Sequence, residues 1–478
     1  MSHRKAVLFR CALTAFSALG GFAWVAPAGA ESMSSALARA YQANPDLNQQ
    51  RAGVRAQDEN IPRATAAYRP TVAATAQYGF SHLNEIGGAA LAGAGAVSGA
   101  GSANQQFEYN TEPATLGLSV TETIFNGNRN YNGVRQAESN VLGARETLRN
   151  TEQSVLQDGA TAYMNVLRDT AILDLRKNNI TVLQEQLRQT RDRFNVGEVT
   201  RTDVAQAASS LASARADYFT AQANLETSIA QYHQVIGVDP TRLEPARSVE
   251  GLLPHTLQEA INVSLEEHPS IVAALHAVDA AALQVKLVEG ELYPTVSVVG
   301  SISQNYNYEG YPGLRVLNGT VMGQLSVPIY TGGEVDARAR QAKELLSQAE
   351  LQADLQREAV RANVVSDWGL LDTAKAVIKS DEAAVKAAEI ALEGVREEAR
   401  VGQRTTLDIL NAQQTLLNAR VSLVSAQRDR VVASYATLAS VGELSAANID
   451  LDVQQYDPTV HFDQVKDKWF GLRTPDGR

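Results

Sequence analysis

The side chains able to carry acid–base or metal chemistry are few and scattered. Seven histidines are spread over 478 residues, and no His, Cys, Asp or Glu cluster has the spacing of a metal site. His233 and His268 fall near helix ends, where a solvated or capping role is the ordinary one. Gly87 to Gly101 is glycine-rich but lacks the Gly-Lys-Ser/Thr of a phosphate-binding loop. Neither an enzyme nor a bound cofactor or metal is expected. The polar residues with a definable task are Asp203 and Asp408. Each follows a Val-Gly turn, Val196-Gly197 or Val401-Gly402, and opens a helical pattern, where a carboxylate accepts from free backbone N–H groups.

The elements around those turns are long helices. Aromatic residues make up 6% and hydrophobic ones 44%, modest for several packed cores, while Ala, Gln, Glu, Leu and Arg dominate long stretches. An elongated helical protein fits better than a globule. Arg4, Lys5 and Arg10, the apolar run from Ala12 to Val25 and the small residues Ala28-Gly29-Ala30 read as a cleaved signal peptide over 1–30. Beyond it no window has 18 uninterrupted apolar residues. The only cysteine, Cys11, lies inside the signal peptide, so the mature chain would have no thiol and no lipid on cysteine. Losing that segment leaves 39 basic against 53 acidic residues, a formal charge of −14. That balance argues against nucleic acid as a partner.

The chain is internally duplicated. Asn44-Pro45 recurs as His268-Pro269, and Tyr68-Arg69-Pro70-Thr71-Val72 as Leu292-Tyr293-Pro294-Thr295-Val296, displaced by 224 positions. From Ile124-Phe125-Asn126-Gly127, matched by Ile329-Tyr330-Thr331-Gly332, the displacement is 205 and stays so through Val196-Gly197, Asp203 and Ile236-Gly237. The lost 19 positions fall where Gly87 to Gly95 forms a low-complexity stretch, read as a flexible loop at a hairpin tip. The expected organisation is a first repeat over 31–240 (strand hairpin 71–125, turn 195–204), a linker over 241–256, a second repeat over 257–442 (hairpin 295–330, turn 400–410) and a tail over 443–478. The tail has lost the heptads and is expected to pack around the helices or stay partly mobile.

Each hairpin alternates with period two. Val72, Ala74, Ala76, Tyr78 and Phe80 share a face, as do Leu116, Leu118, Val120 and Ile124; the second repeat offers Val296, Val298 and Ile302, then Val321, Leu325, Val327 and Ile329. About ten residues each is the length of a tilted transmembrane strand, and Phe125, Tyr330, Tyr68 and Tyr293 stand where an interfacial aromatic girdle would, with Tyr306, Tyr308 and Tyr311 at the other end. A soluble sheet with one covered face would alternate in the same way. Four strands cannot close a barrel in lipid, so membrane strands would require several copies. The helices carry heptads: Val166, Leu173, Ile180, Leu187, Phe194 and their mates Leu371, Ile378, Val385, Leu392, Ala399; then Val204, Leu211, Tyr218, Leu225, Tyr232 and Leu410, Leu417, Val424, Val431, Leu438. No proline interrupts Gly127–Asn195 or Gly332–Arg400, so each predicts a helix of about 65 residues and roughly 100 Å.

The two turns, Phe194-Asn195-Val196-Gly197-Glu198-Val199-Thr200-Arg201-Thr202-Asp203-Val204 and Ala399-Arg400-Val401-Gly402-Gln403-Arg404-Thr405-Thr406-Leu407-Asp408-Ile409-Leu410, together with Val327-Pro328-Ile329-Tyr330-Thr331-Gly332-Gly333, resemble the TolC family of outer-membrane efflux and secretion ducts. The likeness covers nearly all of the mature chain. It implies a mainly α fold with a β-barrel, four strands per chain completing a twelve-stranded barrel in a homotrimer on a long coiled-coil helical barrel. It also implies an outer-membrane exit duct for type I secretion or multidrug efflux. A periplasmic adaptor and an inner-membrane ABC or RND transporter would open it at the helix tips, Val196, Gly197, Val401 and Gly402 meeting the adaptor. Carried over residue by residue, Thr202 and Asp203 would meet Arg404 of a neighbouring turn, and Asp408 would line the aperture. The chain departs from the family pattern at Asn411, where a second aspartate is expected, and at Ala399, where a tyrosine is. The missing lipid cysteine leans towards the subfamily that serves protein secretion as well as drug efflux. A periplasmic coiled-coil adaptor would share the export signal and heptads, but not the four alternating strands.

Overall fold

The computed structural model describes residues 31–87, 105–310 and 312–477. The signal peptide, the glycine-rich run beyond Gly87 and Tyr311 lie outside the described residues. The first repeat contains helices α1 (Met33–Ala43), α2 (Pro45–Asp58) and α3 (Asn60–Thr65), strands β1 (Thr71–Tyr78), β2 (Ser81–Gly87), β3 (Gln105–Thr111) and β4 (Ala114–Asn126), then α4 (Arg129–Asn195) and α5 (Arg201–Ile236). The second contains α6 (Leu257–Glu267), α7 (Pro269–Glu289), β5 (Thr295–Tyr306), β6 (Arg315–Ser326), α8 (Glu334–Arg400) and α9 (Thr406–Val441). A last helix, α10 (Pro458–Val465), lies in the tail.

The duplication is visible in the lengths. α4 and α8 have 67 residues each, and α5 and α9 have 36 each. The long helices start after left-handed residues at matched positions, Gly127-Asn128 and Gly332-Gly333. A Cβ at Gly127 would lie 2.2 Å from the Gly290 carbonyl oxygen, so only glycine allows this approach. Of the heptad residues, every one is buried or half-buried in the single chain except Phe194. The central core gathers Leu37, Leu156, Tyr163, Tyr232, Ile236, Leu438 and Leu444 from both repeats and the tail. There the Tyr163 hydroxyl donates between the carbonyls of Glu31, 2.7 Å away, and Glu244, 2.8 Å away, tying the start of the described chain to the linker.

The Asn-Pro and His-Pro pairs explain why the shorter columns are broken. A residue before proline is pushed out of the α region, and proline at the first helical position gives up an N–H that has no partner anyway. Asn44 caps α2 by accepting from the N–H groups of Asp46 and Leu47. His268 caps α7 through Nδ1, which accepts from the Ser270 N–H at 3.2 Å. Residues 257–292 include a stretch apolar and long enough by composition to cross a membrane. In the fold it is broken at His268, and its second part, α7, packs along α4 and α8.

The four long strands form one antiparallel sheet in the order β1-β4-β5-β6. Its register aligns Val72, Val120, Gly300 and Val321 across the sheet, and Ala74, Leu118, Ile302 and Gly319 in the next row. The opposite face reads Ala73, Ser119, Ser301, Thr320 and then Thr75, Gly117, Ser303, Asn318. In these rows one face is apolar and the other polar across all four strands, and Val72, Leu116, Leu118, Ile302, Val321 and Leu325 are exposed. A soluble sheet would bury that apolar face on a core. Three strand details differ from the sequence reading. β6 stops at Ser326, because Pro328 has no N–H to continue a ladder, so Val327, Ile329 and Tyr330 lie past it. A bulge between Thr123 and Phe125 pairs Phe125 with Val296 and leaves Ile124 unpaired. The first hairpin continues beyond Gly79 as a separate ribbon of β2 and β3, the main ladder being interrupted at Pro113.

The tail packs on the helices. Asp58, fully buried, lies 2.9 Å from His461 Nδ1 and 3.9 Å from Arg145. Arg51 is sandwiched between the rings of Tyr41 and Tyr456. Further on, Arg69 donates from Nη1 to the Lys468 carbonyl at 2.8 Å.

Burial pushes His268 down from 6.5 to about 4, so its ring is neutral in the fold. A lowered histidine value contributes stability that is present above the unfolded value and lost as pH falls from 6.5 through 4. The stability lost over that interval is about 3 kcal/mol. His268→Asn, which keeps a cap of the Asn44 kind, should flatten the loss of thermal stability between pH 6.5 and 4 in detergent. An unchanged slope would place the acid sensitivity elsewhere.

Candidate functional site

The far ends of the helices, away from the sheet, carry the residues singled out in the sequence. α4 joins α5 through residues 196–200, and α8 joins α9 through 401–405. The two turns have one backbone geometry. Gly197 and Gly402 take φ of +84° and +81°. The Glu198 N–H donates to Arg193 O at 2.9 Å and the Gly197 N–H to Phe194 O at 3.0 Å; Gln403 and Gly402 repeat this to Glu398 O at 2.9 Å and Ala399 O at 3.2 Å. This pair of bonds around a left-handed residue satisfies the last helical carbonyls. Open space surrounds both glycines, so conformation, not room, requires them.

Each chain segment re-enters a helix through a reciprocal cap. Asp203 Oδ2 accepts from the Thr200 N–H at 2.8 Å and hydroxyl at 2.7 Å, while the Asp203 N–H donates back to Thr200 Oγ1 at 3.3 Å. Asp408 and Thr405 repeat the arrangement at 2.9, 2.9 and 3.2 Å. The Thr200 hydroxyl and backbone N–H hold the Asp203 carboxyl below the usual carboxylate range. The Thr405 backbone and hydroxyl do the same for Asp408, with the Arg404 charge adding to it. Both are fixed negative charges at neutral pH.

The turns differ in their ion pairs. Arg193 on α4 reaches forward to Glu198 at 3.0 Å, whereas Glu398 on α8 receives Arg404 at 2.7 Å. Positions 193 and 398 are repeat mates at the displacement of 205, so the charge has been inverted. Within one chain, then, Arg404 is held by Glu398 and Asp203 by Thr200. Thr202 is exposed in the first turn of α5, and Asn411 is exposed one turn beyond Asp408, its carbonyl accepting from Thr415 Oγ1 at 2.9 Å. Val196 and Val401 are the exposed apolar points of the tips, 72% and 71% accessible. Arg193, Glu198 and Glu398 were not among the residues singled out in the sequence, although the inversion at 193 and 398 could have been read there. Beneath the tips, Leu183, Leu187, Ala207 and Leu211 pack with Leu410 of the other repeat, and Ala388, Leu392 and Leu416 form a second cluster. Among the described residues no group of three or more His, Cys, Asp or Glu is placed to hold a metal ion.

A sheet with an exposed apolar face, continued by helices of roughly 100 Å that close in paired turns, defines a membrane channel with a long helical duct. The sequence matches the outer membrane efflux protein family over residues 36–238 and 260–443. It is similar to the outer membrane efflux protein BepC of Brucella suis, 41% identical over 457 residues, which cover 94% of this chain and 93% of that one. It is 25% identical over 458 residues to the outer membrane protein TolC of Escherichia coli, covering 93% and 87%. The fold matches the solved CmeC outer membrane channel of Campylobacter jejuni with a TM-score of 0.75 at 15% identity, covering 91% and 89%. The chain belongs to the outer membrane efflux protein family. It is an outer-membrane channel of the efflux and secretion type, and nothing supports the adaptor alternative.

Gly197→Ala and Gly402→Ala meet no atom but force a side chain into the left-handed region, which destabilises each turn by about 1 kcal/mol. Hydrogen exchange over residues 190–204 or 396–408 should then rise roughly fivefold with the sheet unaffected. Equal exchange would show that the turn geometry is not what holds the tip.

Proposed function

We propose that three copies of this chain form the passive exit duct of a tripartite system, closed at rest by its helical tips and opened there by a periplasmic adaptor coupled to an inner-membrane pump. The single observation that carries the reading is the pair of tips: one backbone geometry, inverted ion pairs, and capped carboxylates on both. Identical turns give a ring of alternating copies a common shape. Opposite charges give neighbouring turns something to hold.

In this reading, Arg404 exchanges Glu398 for Asp203 and Thr202 of the adjacent turn when the ring tightens, and Asp408 projects towards the aperture with Asn411 behind it. Such solvent-accessible pairs are individually weak, which suits a latch that another protein must release. Val196 with Gly197 and Val401 with Gly402 present bare apolar tips for the adaptor. Closure by further copies is supported by the outer edges of β1 and β6, which are unpaired among the described residues, since no edge survives in hydrocarbon. The duct needs no cofactor and performs no catalysis, so energy and cargo selection rest with an ABC or RND pump. The named relatives include a protein for alkaline protease secretion and a probable efflux pump component, and secreted protein as well as drugs is the cargo we favour.

The test is conductance of the purified channel in planar bilayers. Asp203→Asn keeps a capping oxygen and removes the charge, so it separates latch from cap. It and Arg404→Ala should each raise the resting conductance several-fold, and Glu398→Gln, which frees Arg404 for its neighbour, should not. Unchanged conductance in both of the first two variants would sink the latch. Asp408→Asn should weaken cation preference, and unaltered selectivity would move the constriction elsewhere.

A further inference from the structure

The end of the tail has a feature that neither the duct nor its gate uses. Trp469 is 68% accessible, Phe470 91% and Leu472 fully so, three large apolar side chains within four residues. Trp469, the first of them, is held in place. The Arg69 guanidinium lies 4.5 Å from the centre of the Trp469 ring and donates to the Lys468 carbonyl. Upstream, His461 on buried Asp58 and Tyr456 on Arg51 fasten the tail to α2.

Arg69 stands two residues before β1, and the first residue of the apolar face, Val72, follows three residues on, roughly 10 Å at strand rise. Tyr68, Tyr131 and Tyr293 are exposed at the same end of the sheet. The tail therefore delivers Trp469 to the rim of the apolar face on the side of the helices. Trp and Tyr settle at that depth of a bilayer, where an apolar ring meets water through a polar tip.

We propose that residues 469–472 insert into the periplasmic leaflet of the outer membrane as an interfacial anchor that takes up phospholipid. The inference rests on the reading of the sheet as the membrane-spanning part. Its driving force is apolar insertion and not charge. Lys466, Lys468 and Arg473 are balanced by Asp463, Asp467 and Asp476, and Lys466 is bound to Asp463 at 2.8 Å. Phospholipid of zwitterionic headgroup suffices, and binding should not weaken in salt. The anchor would hold the tail, and through Asp58 the α2 column, level with the membrane.

The experiment uses the mature full-length channel in phosphatidylcholine proteoliposomes. Outside the signal peptide, which holds Trp24, the tryptophans are Trp368 and Trp469, so Trp368→Phe leaves Trp469 as the sole reporter. Lipids brominated near the headgroup end of the acyl chain should remove roughly half of its emission, and lipids brominated deeper should remove less. Quenching should persist in high salt. Val321→Trp, placed on the apolar face in a Trp368→Phe/Trp469→Phe background, reports the sheet alone. A quenched reporter at position 321 together with unquenched Trp469 overturns the anchor: emission at the wavelength of free tryptophan would mean solvent, and blue-shifted emission would mean a neighbouring copy. If the reporter at position 321 is unquenched as well, the membrane reading of the sheet is what fails.

Discussion

In hydrocarbon a backbone N–H or C=O without a partner costs several kcal/mol, and the four-stranded sheet leaves two rows of them. Among the described residues β4 and β5 are satisfied on both sides, but β1 and β6 each pair on one side only. The exposed apolar face places these edges in lipid, so the chain is incomplete as a folded object until copies of itself close the sheet. Everything below the membrane follows from that closure. If strands must form a ring, the helices that continue them are brought into a ring too, and a polar inner face becomes continuous with a helical tunnel. The alternation of Ala73, Ser119, Ser301 and Thr320 against Val72, Val120, Gly300 and Val321 decides which side is water.

A ring also constrains lengths. α4 and α8 stand in equivalent places, so a residue added to one would displace one set of tips relative to the other; both have 67 residues. The insertion that the first repeat does carry lies in the hairpin, which has nothing to align with. The companion columns are divided at Asn44 and His268 because a proline follows each, and the side chain that caps the second piece is a different chemical group in each repeat. A neutral ring nitrogen takes the place of an amide oxygen. That substitution makes the cap of the second column sensitive to acid where the amide cap of the first does not titrate.

The elements with strong periodicity were legible in the sequence. The long helices needed only heptads such as Leu173, Ile180 and Leu187 and an absence of proline, and the strand faces needed only alternation. What escaped was local geometry that depends on partners. The bulge at Ile124 moves Phe125 onto the row of Val296, and only the pairing with β5 reveals it. The end of β6 before Pro328 was available in principle, yet the apolar alternation through Val327 and Ile329 outweighed it. The β2–β3 ribbon escaped because its sequences, Ser81–Gly87 and Gln105–Thr111, lack the apolar alternation of the main strands. At the tips the caps of Asp203 and Asp408 were legible from a carboxylate after a Val-Gly turn. The pairing of Arg404 with Glu398 was not, since six residues separate them across a turn whose shape sets their reach.

The caps also bear on what can open the duct. The gate we propose contains carboxylates, which would invite control by protons, but Asp203 and Asp408 accept from backbone N–H and hydroxyl groups that favour the ionised form, and both are held below the ordinary carboxylate range. Protonating either one would remove a helix cap at the same time as a contact of the proposed latch, so the two losses are coupled and fall at acidity well beyond that of ordinary function. The charges of Asp203 and Asp408 are therefore constant. Arg404 is constant as well, its own proton held more firmly by Glu398. With these three charges constant, what remains to change the state of the proposed gate is the relative position of the turns. Position is what the proposed adaptor, gripping the exposed Val196 and Val401 tips, would alter, and what the 67-residue helices above them would transmit along their packed heptads.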